Sequence, residues 1–261
     1  MKQNLFATLM AGACLLAGST SAAESAKPAD PRFFELRTYW SPEGKLPDLQ
    51  SRFRNHTLGL FKKHGIENIA YWTPVDNKEN KLVYLLAYPS KEAREKSWKE
   101  FGSDPEWKEV AKKTEANGKI VAKVESTYLV PTDYSAVLKT GDLSKGGVFE
   151  MRTYTTPEGK LPNLDARFRD HTVGLFEKYG MMNYGYFHVA PGGKGADTTL
   201  LYFLSHKSQA AAKESFGAFG KDPAWKAARE ASEKNAGSSL TVKEGGVKSE
   251  FLVPTDYSPT K

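Results

Sequence analysis

The chain has 261 residues, with 37 Lys and Arg against 31 Asp and Glu and a formal charge of +6. The two signs are mixed, and no basic block carries interleaved aromatics, which argues against a nucleic-acid partner. The only cysteine is Cys14, which excludes an internal disulfide.

Residues 1–23 read as a secretory signal peptide. Lys2 opens a basic start, 5–17 form an apolar run, and the small residues Ser19 to Ala23 invite cleavage after Ala22 or Ala23. The run is 13 residues long, and a bilayer span needs roughly 20. A periplasmic or secreted protein is expected, with no cysteine left after cleavage and no transmembrane segment. Residues 24–32 form a loose leader.

Alternating, β-prone residues at 33–39 predict a strand, followed by a turn at Ser41-Pro42-Glu43-Gly44. Helical spacing runs over 46–64 and stops at Gly65. Two apolar and aromatic runs, 69–73 and 82–88, form a hairpin around the polar turn 76–78. Residues 90–116 are helical with a break at 102–105, where Asp104 caps and Pro105 opens the second segment. A last strand covers 120–130.

The same order then recurs. Residues 35–61 and 150–176 agree at 19 of 27 paired positions, a match long enough to mark a repeated folding unit. F-G-S-D-P-E-W-K at 101–108 is answered by F-G-K-D-P-A-W-K at 219–226, and L-V-P-T-D-Y-S occurs at 129–135 and 252–258. Repeat one is placed at 33–135, a Gly-, Lys- and Ser-rich linker at 136–147, and repeat two at 148–259. The second hairpin turn is longer, Pro191-Gly192-Gly193-Lys194-Gly195, and lacks the ending of a phosphate loop. The β-α-β-β-α-β order predicts an α+β fold: two tandem ferredoxin-like units whose bare sheet faces close on each other as an intrachain pseudo-dimeric barrel.

Alternation puts Glu35, Arg37 and Tyr39 on one strand face and Phe34, Leu36 and Thr38 on the other. The apolar face is assigned to the helices. Glu35, Arg37 and Tyr39, with Glu150, Arg152 and Tyr154, are then expected inside the barrel. They read either as a polar cluster orienting an anionic or carbonyl-bearing ligand, or as buried ion pairs fixing register. Leu49, Phe53, His56 and Leu60 share a helical face, as do Leu164, Phe168, His171 and Leu175, so His56 and His171 are expected to point at the sheet. Arg52 and Arg167, one turn before them, read as anion-site or surface arginines. Tyr71 and Tyr186 are candidate aromatic walls. The histidines at 56, 64, 171, 188 and 206 have no metal-ligand spacing, and neither metal nor cofactor is expected.

In E-x-R-x-Y on the first strand, F-x-x-H-T-x-G-L-F on the helix, the aromatic pairs Tyr71-Trp72 and Tyr186-Phe187, and the closing P-T-D-Y-S, the chain resembles the NIPSNAP family. The turn reads Pro-Glu-Gly where that family commonly has Pro followed directly by Gly. The resemblance implies a dimeric α+β barrel. That superfamily also holds cofactor-independent monooxygenases, isomerases and haem-binding enzymes.

Three functions follow. The first is binding of a small, partly aromatic molecule in the barrel interior, anchored by the Glu-Arg-Tyr clusters with Tyr71 and Tyr186. The second is a monooxygenase- or isomerase-like enzyme using His56, His171, Tyr39 or Tyr154. The third is a protein-interaction module docking through outer helices that carry Leu58 and Val173. Further homo-oligomerisation of the tandem is compatible with all three.

Overall fold

The structure is a computed structural model that describes residues 30–143 and 147–261. The signal peptide expected at 1–23, and 144–146 of the expected linker, lie outside the described residues.

The first repeat runs β1 (Phe33–Trp40), α1 (Leu46–Arg52), a π-helical turn (Phe53–Thr57), α2 (Leu58–Lys63), β2 (Glu67–Pro74), β3 (Lys81–Tyr88), α3 (Lys91–Ser103), α4 (Pro105–Thr114) and β4 (Lys123–Pro131). The second runs β5 (Val148–Thr155), α5 (Leu161–Arg167), a π-helical turn (Phe168–Thr172), α6 (Val173–Lys178), β6 (Met182–Val189), β7 (Thr199–His206), α7 (Gln209–Phe219), α8 (Pro223–Ala236) and β8 (Val247–Pro254). Helix starts follow their capping chemistry. Ser90 and Ser208 accept from the amides of Ala93 and Ala211. Asp104 and Asp222 accept from Glu106 and Ala224, with Pro105 and Pro223 at the first helical position.

The eight strands close into one barrel in the order β1-β3-β2-β8-β5-β7-β6-β4. Every neighbouring pair is antiparallel. Each repeat supplies four adjacent strands. The repeats meet at two seams of three residue pairs each, Leu129–Pro131 against Phe187–Val189 and Trp72–Pro74 against Leu252–Pro254.

The lumen is apolar. Phe34 and Leu36 of β1 join Trp72, Leu85, Leu129, Phe149, Phe187, Phe203 and Leu252 in one buried cluster drawn from both repeats. Trp72 stacks on Phe203 with ring centroids 5.2 Å apart, and Phe34 meets Phe187 edge-on at 5.1 Å. An eight-stranded barrel is just wide enough for side chains to fill, and these do. Outside the barrel, two further clusters join the helices to the sheet: Leu49, Phe53, Phe61 and Phe101 against Tyr71, Tyr84 and Leu86, and Leu164, Phe168, Phe176 and Phe219 against Tyr186, Tyr202 and Leu204.

This reverses the expected faces of β1 and β5. Phe34 and Leu36 point into the lumen, and Glu35, Arg37 and Tyr39 point outward under the helices. Glu150, Arg152 and Tyr154 do the same. The physical reason is partners. A lumen of mostly aromatic and aliphatic side chains offers a carboxylate no cation, whereas the outer layer gives Glu35 Arg37 and Arg94 and gives Glu150 Arg152.

Candidate functional site

Glu35 is fully buried and accepts hydrogen bonds from five side chains. Arg37 Nη1 donates from two residues along β1 at 2.5 Å, and Ser126 Oγ from β4 at 2.9 Å. Tyr88 Oη donates from β3 at 3.0 Å. From α3, Arg94 donates through both Nε and Nη2 at 3.0 Å, and Trp98 Nε1 at 3.0 Å. Strand pairing sets this convergence, because Arg37 lies opposite Tyr84 on one side and Ser126 on the other. Arg37 in turn donates to the hydroxyls of Tyr84 at 2.9 Å and Tyr39 at 3.2 Å, and its guanidinium lies 4.3 Å from the Trp98 ring. Burial pushes the Glu35 carboxyl up, but the Arg94 hydrogen bonds and the charges of Arg37 and Arg94 outweigh it and hold it below the usual range.

The second repeat rebuilds the cluster with fewer donors. Glu150 is 2% exposed and accepts from Arg152 Nη1 at 2.5 Å and Ser249 Oγ at 2.5 Å. His206 Nε2 lies 3.0 Å from its other oxygen. Arg152 donates to Tyr202 at 2.9 Å and Tyr154 at 3.4 Å, as Arg37 does to its tyrosines. Aligning the repeats puts His206 at the position of Tyr88, Ala212 at that of Arg94 and Phe216 at that of Trp98. Burial again raises the Glu150 carboxyl, and the His206 bond, the Arg152 charge and Ser249 together bring it below the usual range.

The sequence reading paired Glu35 with Arg37 but missed Tyr88, Arg94, Trp98, Ser126, His206 and Ser249. A signal was available. Across β3 and the start of α3, Y-P-S-K-E-A-R-E-K-S-W faces H-K-S-Q-A-A-A-K-E-S-F, so three of the diverging positions are these partners.

His56 and His171 do not point at the sheet; both are exposed. The cause is the π-turn before α2 and α6. There the Leu58 amide reaches back five residues to Phe53, and the Val173 amide to Phe168. A turn that takes one extra residue returns the next residue, not the expected one, to the buried face. Thr57 and Thr172 occupy that face, buried, and their hydroxyls donate to the carbonyls of Arg52 at 3.2 Å and Arg167 at 3.1 Å. Tyr71 and Tyr186 are buried in the helix layer rather than in the lumen. Each stacks at 5.2 Å on a β3 or β7 tyrosine, Tyr84 or Tyr202, and donates to a strand asparagine, Asn68 or Asn183. Leu58 and Val173 are half-buried against the same layers. The described residues contain no group of three or more His, Cys, Asp or Glu placed to hold a metal. No helix among them is long and apolar enough to cross a membrane.

A groove of about 610 Å³ opens at the β4–β6 seam. Its walls are Phe33, Tyr128, Val189, Ala190 and Pro191, and its charged lining residues are Lys91 from repeat one and Lys194 from repeat two. Ser126, a donor to Glu35, lies in its wall. The long second hairpin builds one side. Gly192 and Gly195 have φ of 82° and 87°, and a Cβ on Gly193 would sit 2.6 Å from Val189 Cγ1, so the glycines are what let the hairpin fold over β4.

The family model for NIPSNAP matches residues 34–136 and 149–259. The chain belongs to the NIPSNAP family. No curated protein matches it. Among solved structures, a NIPSNAP domain protein from Burkholderia xenovorans is 24% identical over 38% of this chain and 94% of its own, with a TM-score of 0.34. Two longer structures resemble the whole tandem. A candidate monooxygenase from Lactobacillus acidophilus NCFM has a TM-score of 0.54 at 12% identity, covering 86% of this chain and 94% of its own. One from Fusobacterium nucleatum has a TM-score of 0.55 at 13% identity, covering 89% and 95%. At these identities the likeness is one of fold, a mixed α/β barrel carried by a tandem of NIPSNAP domains.

Proposed function

We propose that this NIPSNAP tandem is an exported binding protein for a small, partly aromatic molecule, and that the ligand lies in the β4–β6 groove and not in the barrel lumen. The carrying observation is the groove itself: about 610 Å³, walled by apolar and aromatic side chains, with Lys91 and Lys194 at its edge. Sites for small ligands have this size and this mix of apolar wall and few polar groups. The two lysines favour a ligand with an anionic end. We read each half as a ferredoxin-like unit, on its β-α-β-β-α-β order and its antiparallel strand order of last, first, third, second. Export rests on the sequence pattern of residues 1–23, and amino-terminal sequencing of the mature protein tests it.

Binding is favoured over catalysis by the state of the candidate catalytic groups. His56 and His171 are exposed and belong to different repeats. Tyr39 and Tyr154 are engaged by Arg37 and Arg152. The test is calorimetric titration with 2-naphthoate, a flat aromatic carboxylate. Saturable binding that Thr127→Trp abolishes, by filling the groove, and Lys194→Ala weakens is the expected result. Binding indifferent to Thr127→Trp would place the ligand elsewhere.

A further inference from the structure

Each π-turn borders a second, much smaller cavity, which the groove reading does not use. In repeat two it lies between α5 and α8 and measures about 150 Å³; its counterpart in repeat one measures about 210 Å³. Both are lined by an arginine of R-F-R-x-H-T and by the histidine four residues later, Arg167 with His171 and Arg52 with His56. The π-turn is what brings the histidine to this side of the helix, and such turns recur at functional sites.

The arginines are buried cations. Arg52 and Arg167 are each 5% exposed, each guanidinium lies 5.2 Å from a tryptophan ring, Trp107 or Trp225, and each Nε lacks a hydrogen-bond partner. The repeats differ in how the charge is answered. Arg52 Nη1 holds Glu115 at 2.9 Å, whereas Arg167 Nη1 stands 3.8 Å from Glu233, which Arg229 also engages at 3.3 Å. Burial lowers the Arg167 pKa, ahead of the opposing effects of Tyr154 and Glu233. The nearest carboxylate to Arg167 thus stands 0.9 Å farther off than the one Arg52 holds, so its buried charge is less closely paired. The lining agrees. Asn163 stands where repeat one has Asp48, and Ser232 and Asn235 add hydrogen-bonding groups beside His171. Asp170 is the one carboxylate in the lining, and it interacts with the Arg169 charge.

We propose that the cavity between α5 and α8 is a binding site for a small oxyanion, a phosphate, sulfate or carboxylate group, recognised by Arg167 and His171. Its volume of about 150 Å³, against about 610 Å³ for the seam groove, suits such a group. Arginine supplies planar donors matched to oxyanions, and the imidazole and amide side chains complete the ring. The counterpart at Arg52 is already answered by Glu115 and carries Asp48, so one site per chain is expected.

Calorimetric titration of the full chain with inorganic phosphate, sulfate and acetate tests this. At least one should bind saturably with a stoichiometry of one, and the tightest names the oxyanion class. His171→Ala and Asn163→Asp, both away from the packed core, should each weaken it about tenfold. Lys194→Ala, in the groove, should leave it unchanged. No saturable binding of any of the three anions, or binding that survives either substitution at full strength, overturns the proposal. Because Lys194→Ala and Thr127→Trp act on 2-naphthoate and not on phosphate, failure of one site is distinguishable from failure of the other.

Discussion

Tyr88 and His206 stand at the same position of the two repeats, and each lies 3.0 Å from the buried glutamate of its own repeat. Around them the clusters have diverged. Arg94 and Trp98 add three hydrogen bonds to Glu35, and their counterparts Ala212 and Phe216 have no donor to offer Glu150. Glu150 therefore depends on each remaining partner more heavily. His206→Phe is expected to destabilise the fold by about 1.5–3 kcal/mol, and Tyr88→Phe by about 0.5–1.5 kcal/mol. Denaturant unfolding at pH 7 measures both, and equal costs would contradict the asymmetry.

The same carboxylates set an acid limit. Glu35 and Glu150 are held below their ordinary value of 4.5 in the folded protein. Between the folded and unfolded values the unfolded chain binds more protons, so stability falls as pH falls. The contribution is complete above about pH 4.5 and is lost as pH drops through the depressed folded value. Glu35→Gln should cost about 3–5 kcal/mol at pH 7 by leaving Arg37 and Arg94 without their carboxylate. The gap between mutant and parent should narrow at pH 3. A gap of the same size at both pH values would refute the account.

Much of this architecture was legible because the chain repeats itself. The hairpins, the Asp104-Pro105 and Asp222-Pro223 helix starts and the barrel made by two sheets follow from local chemistry and from counting exposed faces. Alternation also grouped Glu35, Arg37 and Tyr39 correctly. What it cannot supply is which group faces inward. F-F-E-L-R-T-Y-W carries large apolar residues on both faces, and the deciding partners, Arg94 and Trp98, lie 59 and 63 residues away in sequence. His56 was misplaced for a different reason. A single extra residue in the helix turn gives the place expected of His56 on the buried face to Thr57, and its sequence trace is only that threonine, five residues after the carbonyl it caps.

That trace is testable. Thr57→Val and Thr172→Val keep the shape of the side chain and remove the donor to a buried carbonyl, so each should destabilise by about 1–3 kcal/mol. His56→Ala and His171→Ala remove exposed imidazoles and should change stability by less than about 0.5 kcal/mol. Thermal unfolding of the four variants compares them directly. A histidine variant as damaging as its threonine neighbour would mean that the helix runs through 53–57 without the extra residue.

The filled lumen is the last point open to measurement. Trp72 is fully buried there, stacked on Phe203 and 5.5 Å from Phe149, and its Nε1 has no hydrogen-bond partner. Trp72→Ala should cost about 3–5 kcal/mol through lost packing and the cavity left behind. Trp72→Phe should cost much less, because relief of an unpartnered buried N–H offsets part of the smaller ring's loss. Neither change touches the seam groove. If Trp72→Phe leaves 2-naphthoate affinity unchanged while Thr127→Trp removes it, the ligand lies outside the barrel wall. An affinity that follows Trp72 instead would mean that the aromatic lumen opens to admit the ligand after all.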